Sequence, residues 1–303
     1  MTGFSHIPVM PNEVLDALNP VRGGIYVDGT LGGGNHSRLL LDALPPGSRL
    51  IGIDRDENAI AAAKKSIPEA TIIHDNFHNM PQILQSLNIT AVDGILLDLG
   101  VSSHQLDTPE RGFSYRFDGP LDMRMDRTSP VSAYDIVNSY SEKDLANLIF
   151  TYGEERHSRR IARTICAARP IQTTLQLAQL IERTSPKKFG APHPAMRTFM
   201  AIRIAVNDEL SPLGSVLERI INCLAPAGRI AIISFHSLED RIVKTTFQKI
   251  ASPCHCPRDI PYCVCGKEPD IRILTKKPIL PTTEELAQNS RAHSAKLRVA
   301  ERL

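Results

Sequence analysis

Apolar residues come in two rhythms along this chain, and the switch between them predicts its architecture. Through the first hundred residues, short unbroken apolar runs alternate with segments of helical period. Ile25–Val27, Leu50–Ile53 and Gly94–Leu97 are short, continuous apolar runs that fit strands buried on both faces of a parallel sheet, and Thr71–His74 reads as a further strand. Between them the three-to-four spacing predicts helices over Ser37–Leu44, Glu57–Ser66 and Pro81–Leu87, the first stopped by Pro45-Pro46-Gly47 and the second by Pro68. A short amphipathic helix with Val9, Val14, Leu15 and Leu18 on its apolar face precedes them, within residues 5–19.

The rhythm then breaks. Gln105–Arg127 shows no period and is rich in Gly, Pro, Asp and Arg, which predicts a long functional loop. Helical signals follow over Ser132–Val137, Glu142–Phe150, Glu154–Ala168 and Leu175–Thr184. A last helix begins near Ala195, with Met196, Phe199, Met200 and Ile204 on one face. Alternation resumes with a helix over Val216–Leu224, a strand over Arg229–Phe235 and a helix over Leu238–Ile250. Ile271–Leu274 and Leu297–Ala300 supply two last strands. The expected fold is therefore α/β, a doubly wound, mostly parallel sheet formed by residues 1–105 and 211–303, interrupted by an inserted α-helical subdomain over 106–210.

The chemistry centres on Ile25–His36. An apolar run ends in Asp28, a turn carrying Gly29, Gly32, Gly33 and Gly34 follows, and a helix begins after it. Glycine lets the backbone approach a ligand where a Cβ would clash. Asp54, closing the second strand, can accept hydrogen bonds from both hydroxyls of a ribose. A dinucleotide loop would read Gly-x-Gly-x-x-Gly and bring a pyrophosphate to the helix N-terminus. Here Asp28 would repel a pyrophosphate but suits a cationic amine, such as the methionine part of S-adenosyl-L-methionine. The acids Asp28, Asp54, Asp75 and Asp98 all fall at the carboxyl ends of strands, where such sheets bind ligands.

Composition narrows the picture little. Of 303 residues, 42% are hydrophobic and 22% charged, the balance of a water-soluble protein, and the net charge is +2, so any nucleic-acid surface must be local. No run approaches the length of a membrane span and the N-terminus lacks signal-peptide features, so a cytoplasmic location is expected. Basic residues do cluster locally. Arg156, Arg159, Arg160 and Arg163 recur at helical spacing, and Lys187, Lys188, Arg197 and Arg203 add to them. They read either as a solvated face partly paired with Glu154 and Glu155, or as a phosphate-contacting surface over the cofactor mouth.

Two further motifs stand out. Ser234-Phe-His-Ser-Leu-Glu-Asp-Arg241 follows the fifth strand, and His236 there is a candidate general base or a cap. A Ser–His–acid hydrolase would need a Gly-x-Ser-x-Gly elbow, which is absent. Cys254, Cys256, Cys263 and Cys265 form two Cys-x-Cys pairs six residues apart. They read either as four thiolates for zinc or as a turn of reduced cysteines.

Taken together, Tyr26-Val-Asp-Gly-Thr30, Gly52-Ile-Asp-Arg-Asp56, Asp93 to Ser103, Glu110-Arg-Gly-Phe-Ser114, Asp118 to Asp126, Tyr152-Gly-Glu-Glu-Arg156 and Ser234 to Arg241, with His6-x-Pro-Val at the start, resemble the bacterial MraW family of methyltransferases. The resemblance spans nearly the whole chain. It implies a Rossmann-like class I methyltransferase with a helical insert that methylates the exocyclic N4 of a cytosine in small-subunit ribosomal RNA, using S-adenosyl-L-methionine. It further implies cofactor contacts at Gly32, Gly34, Asn35, His36, Asp54, Phe77, Asp98 and Gln105, a substrate RNA within an assembled or near-mature 30S particle, and no membrane partner; homodimerisation stays open. Position 35 is Asn where relatives often carry Gly, but Asn tolerates positive φ better than most residues. Asp98 and His236 are the candidates for polarising or deprotonating the amine. The competing functions are a ribosome-assembly factor with a vestigial cofactor pocket and, less compatible with the loop, a nicotinamide dehydrogenase.

Overall fold

Strands form where the apolar runs are unbroken, and in the computed structural model, which describes residues 8–20, 24–185, 190, 192–254, 256, 262 and 264–303, they make one seven-stranded sheet. Residues 5–7, Pro186, Lys187, Lys188 and Cys263, all singled out in the sequence, lie outside the described residues. The chain divides into two compact units: the described residues up to Gly100 with Leu210–Leu303, and Val101–Glu209.

In the first unit the order of elements is α1 (Pro11–Leu18), β1 (Ile25–Asp28), α2 (Asn35–Ala43), β2 (Arg49–Asp54), α3 (Glu57–Ser66), β3 (Thr71–His74), α4 (Met80–Ser86) and β4 (Val92–Asp98). The second unit carries α5 (Ser103–Asp107), α6 (Ala133–Ser139), α7 (Glu142–Gly153), α8 (Ser158–Ala167), α9 (Thr174–Thr184) and α10 (Ala195–Asn207). The first unit then resumes with α11 (Leu213–Ile221), β5 (Leu224–Ser234), α12 (Ser237–Ala251), β6 (Ile271–Ile273), α13 (Thr283–Gln288) and β7 (Lys296–Arg302).

The sheet order is β3-β2-β1-β4-β5-β7-β6; β1 to β5 run parallel, and β7 is antiparallel to both its neighbours. This is the expected doubly wound, Rossmann-like α/β fold. Alternate residues of each strand serve opposite faces. Val27, Ile51, Ile95 and Leu97 pack with Leu84 of α4, Leu217 and Ile220 of α11 and Phe247 of α12. Tyr26, Leu50, Leu96 and Ile233 face Val14 and Leu18 of α1 and Leu40 of α2. Each such fully buried aliphatic contributes roughly 1.5–3 kcal/mol, so both layers clamp the sheet. The order reverses between β1 and β4, and ligands of open α/β sheets bind at such a switch point, beyond the strands' carboxyl ends.

The second unit has its own core, built on Ile136, Leu145, Ile149, Ile161, Leu177, Phe199 and Ile202. Gly153 lets α7 approach α10: a Cβ there would stand 2.7 Å from the Arg197 carbonyl oxygen. That packing accounts for the glycine in Tyr152-Gly-Glu-Glu-Arg156.

Several expectations need correction. Gln105–Arg127 is not a structureless loop. Its first residues lie in α5, a 3-10 turn covers Pro109–Arg111, and Arg111 is buried at 1% exposure with Nη2 donating to the carbonyls of Arg124 and Met125 at 2.9 and 3.1 Å. Phe113, Leu121, Met123 and Met125 join the core, and Asn207 bonds the backbone at Met123 and Met125. The missing period therefore reflects a segment pinned by side chain-to-backbone bonds.

The helix expected over Glu154–Ala168 starts only at Ser158, because Glu154 is left-handed (φ 48°) and closes α7. Arg156 thus stands off the helix that carries the exposed Arg159, Arg160 and Arg163. Arg203 is not on the basic surface either: it forks onto Glu209 with two 2.9 Å bonds at 14% and 6% side-chain exposure. On α10 the buried face is Thr198, Phe199, Ala201, Ile202 and Ile204, while Met196 is exposed.

Candidate active site

The glycine loop is held by two bonds to β2 and one within itself. Leu31 N–H donates to the Ile53 carbonyl (3.0 Å), Gly32 N–H to Asp54 Oδ2 (2.7 Å), and Gly34 N–H to the Leu31 carbonyl (2.9 Å). Gly32 and Gly34 take φ of 51° and 82°, and Gly34 caps α2. The other Asp54 oxygen accepts from Asp56 N–H at 2.9 Å, while Asp56 in turn caps α3 by accepting from Asn58 N–H. In Gly52-Ile-Asp-Arg-Asp56 the first acid therefore holds the loop and the second starts a helix.

These bonds bear on the choice of cofactor. A pyrophosphate would need the loop's amides, yet those of Gly32 and Gly34 are already engaged, one of them with a carboxylate. A carboxylate offers about four lone-pair sites, so Asp54 keeps two for further donors such as ribose hydroxyls. The residues fit a nucleoside with hydroxyls and no phosphate.

Asp28 is a correction. It is 1% exposed and internal: Oδ1 accepts from Thr30 N–H at 3.1 Å and Oδ2 from Ser37 Oγ at 2.7 Å. Burial raises its pKa, with the Ser37 bond opposing. It braces the loop against α2 and does not present its carboxylate to a ligand. Asp75 is a turn residue too, accepting from Asn76 N–H and Asn79 Nδ2. Of the four strand-end acids, Asp98 is the one with a buried oxygen that has no hydrogen-bond partner among the described residues.

Asp98 closes β4 at the switch point. Its backbone N–H donates to Thr30 Oγ1 (2.6 Å), tying β4 to the turn after β1. Its Oδ2 lies 3.5 Å from His36 Nδ1, whereas Oδ1 is buried and has no hydrogen-bond partner among the described residues. His36 is oriented from its other nitrogen, Nε2, 2.7 Å from the Val9 carbonyl oxygen. Burial raises the Asp98 carboxyl to about 6; His36 opposes this, and Asp28 and Glu239 add to it. Burial likewise raises Asp54 to about 6, against the bonds from Asp56 and Gly32. A buried acceptor without a partner costs about 1–3 kcal/mol, so Asp98 is a natural place for a ligand's donor.

His236 is the N-cap of α12 and is 7% exposed at its side chain. Its Nδ1 accepts from Glu239 N–H at 3.4 Å, and Glu239 Oε2 accepts from the amides of Phe235 and His236. His236 Nε2 lies 3.1 Å from Glu239 Oε1 but off the hydrogen-bonding direction, and finds no hydrogen-bond partner among the described residues. Asn35 and His36 open α2, and Phe77, half-buried, opens the turn after β3. Gln105 sits in the second unit, 5% exposed, as the capping-box partner of Ser102 at the start of α5. Sequence reading missed Thr30, Ser37 and Glu239. The last was detectable as a capping pattern, His236 followed by an acid three residues on; the first two had no local signal.

A Rossmann-like sheet with a glycine loop and two acids raised by burial at its switch point fits a nucleoside-cofactor enzyme of the methyltransferase type. The profile of the MraW methylase family matches residues 3–303. A protein named ribosomal RNA small subunit methyltransferase H from Clostridium botulinum (strain Kyoto / Type A2) is 52% identical over 307 residues, covering 99% of both chains. One of the same name from Geobacter sulfurreducens is 52% identical over 309 residues with the same coverage, and one from Carboxydothermus hydrogenoformans 50% over 308, covering 99% of this chain and 98% of its own. The chain belongs to the MraW methylase family and is a methyltransferase.

Proposed function

We propose that this protein transfers a methyl group from S-adenosyl-L-methionine to the exocyclic N4 of a cytosine in small-subunit ribosomal RNA, presented by an assembled or nearly mature 30S particle. The observation that carries this reading is likeness at 50–52% identity, end to end, to proteins named for methylation of small-subunit ribosomal RNA. The exposed Arg159, Arg160 and Arg163 of α8 support an RNA partner through phosphate contacts. No helix among the described residues is long and apolar enough to cross a membrane, which agrees with action on a cytoplasmic ribosomal particle.

When bound, the cofactor supplies a sulfonium-activated methyl group. Gly32, Gly34, Asn35 and His36 of the loop would line it, Asp54 would accept from its ribose hydroxyls and Phe77 would lie against its base. The cytosine amine is a poor nucleophile, because its lone pair is delocalised into the ring. Asp98 accepts an amine N–H, which localises that lone pair, and takes the proton released as the N–CH3 bond forms. A carboxyl near 6 is ionised at neutral pH and still basic enough for this. His36 steers that carboxylate, while His236 works with Glu239 to hold the start of α12 beside it. Alignment of donor and acceptor supplies much of the remaining acceleration.

Mass spectrometry of ribosomal RNA from cells with and without the gene tests this reading. Loss of one N4-methylcytosine from small-subunit RNA is expected, with restoration by purified protein and cofactor on 30S particles. An unchanged methylation map overturns it, and particle binding without label transfer would favour an assembly factor. Asp54→Asn is expected to weaken cofactor binding about 10- to 100-fold, since a bond to a charged acceptor contributes about 1.5–3 kcal/mol; calorimetric titration with S-adenosylhomocysteine reads it. Binding should also weaken as pH falls through about 6, where Asp54 protonates and loses acceptor strength.

A further inference from the structure

The connection from α12 to β6, residues 252–270, is long for a compact domain and plays no part in the methyl transfer above. Cys254, Cys256 and Cys265 converge there, with their three Sγ atoms within 4.8 Å of one another. Cys256 and Cys265 are half-buried and Cys254 is exposed. Sulfurs at about 2.3 Å from a tetrahedral zinc stand about 3.8 Å apart, so the cluster is about 1 Å from binding geometry. Cys166 and Cys223 lie elsewhere, in α8 and just before β5.

We propose that Cys254, Cys256 and Cys265 bind a structural zinc ion that staples the α12–β6 connection. Thiolate sulfurs select soft or borderline cations, and a tetrahedral set of them is characteristic of zinc. Each coordinating thiol loses its proton on binding, so three protons leave as three Zn–S bonds form. The two ends of the staple are the end of α12 and strand β6, which among the described residues pairs with β7 at the edge of the sheet. The function is distinct from catalysis: α12 begins at the active edge with His236 and ends at this cluster.

The test is metal content of the full-length protein purified under reducing conditions without a metal-affinity tag. About one zinc per chain is expected, released by a mercurial titrant and detected by a chromogenic chelator. Cys256→Ser and Cys265→Ser should lose it, whereas Cys223→Ser should keep it. Reloading the metal-free wild type with cobalt(II) should produce thiolate-to-metal charge-transfer bands, a readout that survives if the serine variants fail to fold. Proteolysis within residues 252–270 should accelerate on zinc removal. Wild type without zinc and without cobalt bands, zinc retained in the serine variants, iron in place of zinc, or a disulfide among these cysteines in the reduced preparation would each overturn the proposal.

Discussion

Asp98→Asn is expected to lower methyl transfer by at least about 100-fold, the scale of a lost general base, and to raise thermal stability at pH 7. The two effects have one cause. The folded protein lifts the Asp98 carboxyl from 3.8 to about 6, chiefly by burial, and leaves Oδ1 without a hydrogen-bond partner among the described residues. A raised acid pKa means that the folded state binds a proton more tightly than the unfolded state. Stability attributable to this group is therefore highest below about 4, falls as pH rises from about 4 to about 6, and stays low above that. At pH 7 the folded protein carries the full penalty of a buried charge. A rise of this size corresponds to about 3 kcal/mol, with solvent access to the side chain reducing it.

Asn keeps the shape and removes the charge. Its melting temperature should exceed the parent's by a few degrees at pH 7, with the gap closing as pH drops toward 4. Single-turnover methylation at saturating cofactor reads the catalytic loss; paired melts at pH 7 and pH 4.5 read the linkage. Activity within a few-fold of the parent would remove Asp98 from the chemistry. A lower melting temperature at pH 7 would mean that its charge stabilises the fold.

Gly112→Ala is expected to destabilise the second unit by at least about 3 kcal/mol, the range of severe backbone conflicts. Gly112 closes the 3-10 turn of Pro109–Arg111 at φ 71°, a left-handed conformation that costs a residue with a Cβ about 1–2 kcal/mol. A Cβ there would also overlap the Pro120 carbonyl oxygen and stand 2.9 Å from Asp122 N. Both neighbours are backbone, so no side chain can turn aside. The strain falls next to Arg111, whose guanidinium organises the 111–125 segment. Hydrogen exchange should show lost protection within Val101–Glu209, and calorimetry a lowered or split transition. Gly190 also has a positive φ, but a Cβ added there would meet nothing within 4 Å, so Gly190→Ala should cost only the conformational part. Equal destabilisation at the two positions would refute the overlap argument.

Much of the candidate site is legible in the chain itself, because its parts are local. A strand, a glycine turn and a helix within twelve residues announce a ligand loop, and Asp54 is marked by ending an apolar run. The roles of neighbouring acids are not legible, since position at a strand end does not reveal which donors come near. Asp28 meets Ser37 and Thr30 and turns inward, whereas the Asp98 carboxylate has His36 at 3.5 Å and an oxygen without a hydrogen-bond partner among the described residues. Arg203 reads as part of a basic patch, yet Glu209 lies within reach and removes it.

The pattern of apolar residues by itself determined the strands, most helices and the α/β class, because period and run length are properties of consecutive residues. It also determined the glycine loop and the residues that carry the family likeness. Tertiary structure alone decided the reversal between β1 and β4, the engagement of Gly32 by a carboxylate twenty-two positions away, the folding of Gln105–Arg127 around Arg111, and the convergence of three thiols between α12 and β6. Those outcomes depend on which distant groups share a buried space, where desolvation makes each polar atom seek a partner, and sequence spacing does not encode that proximity.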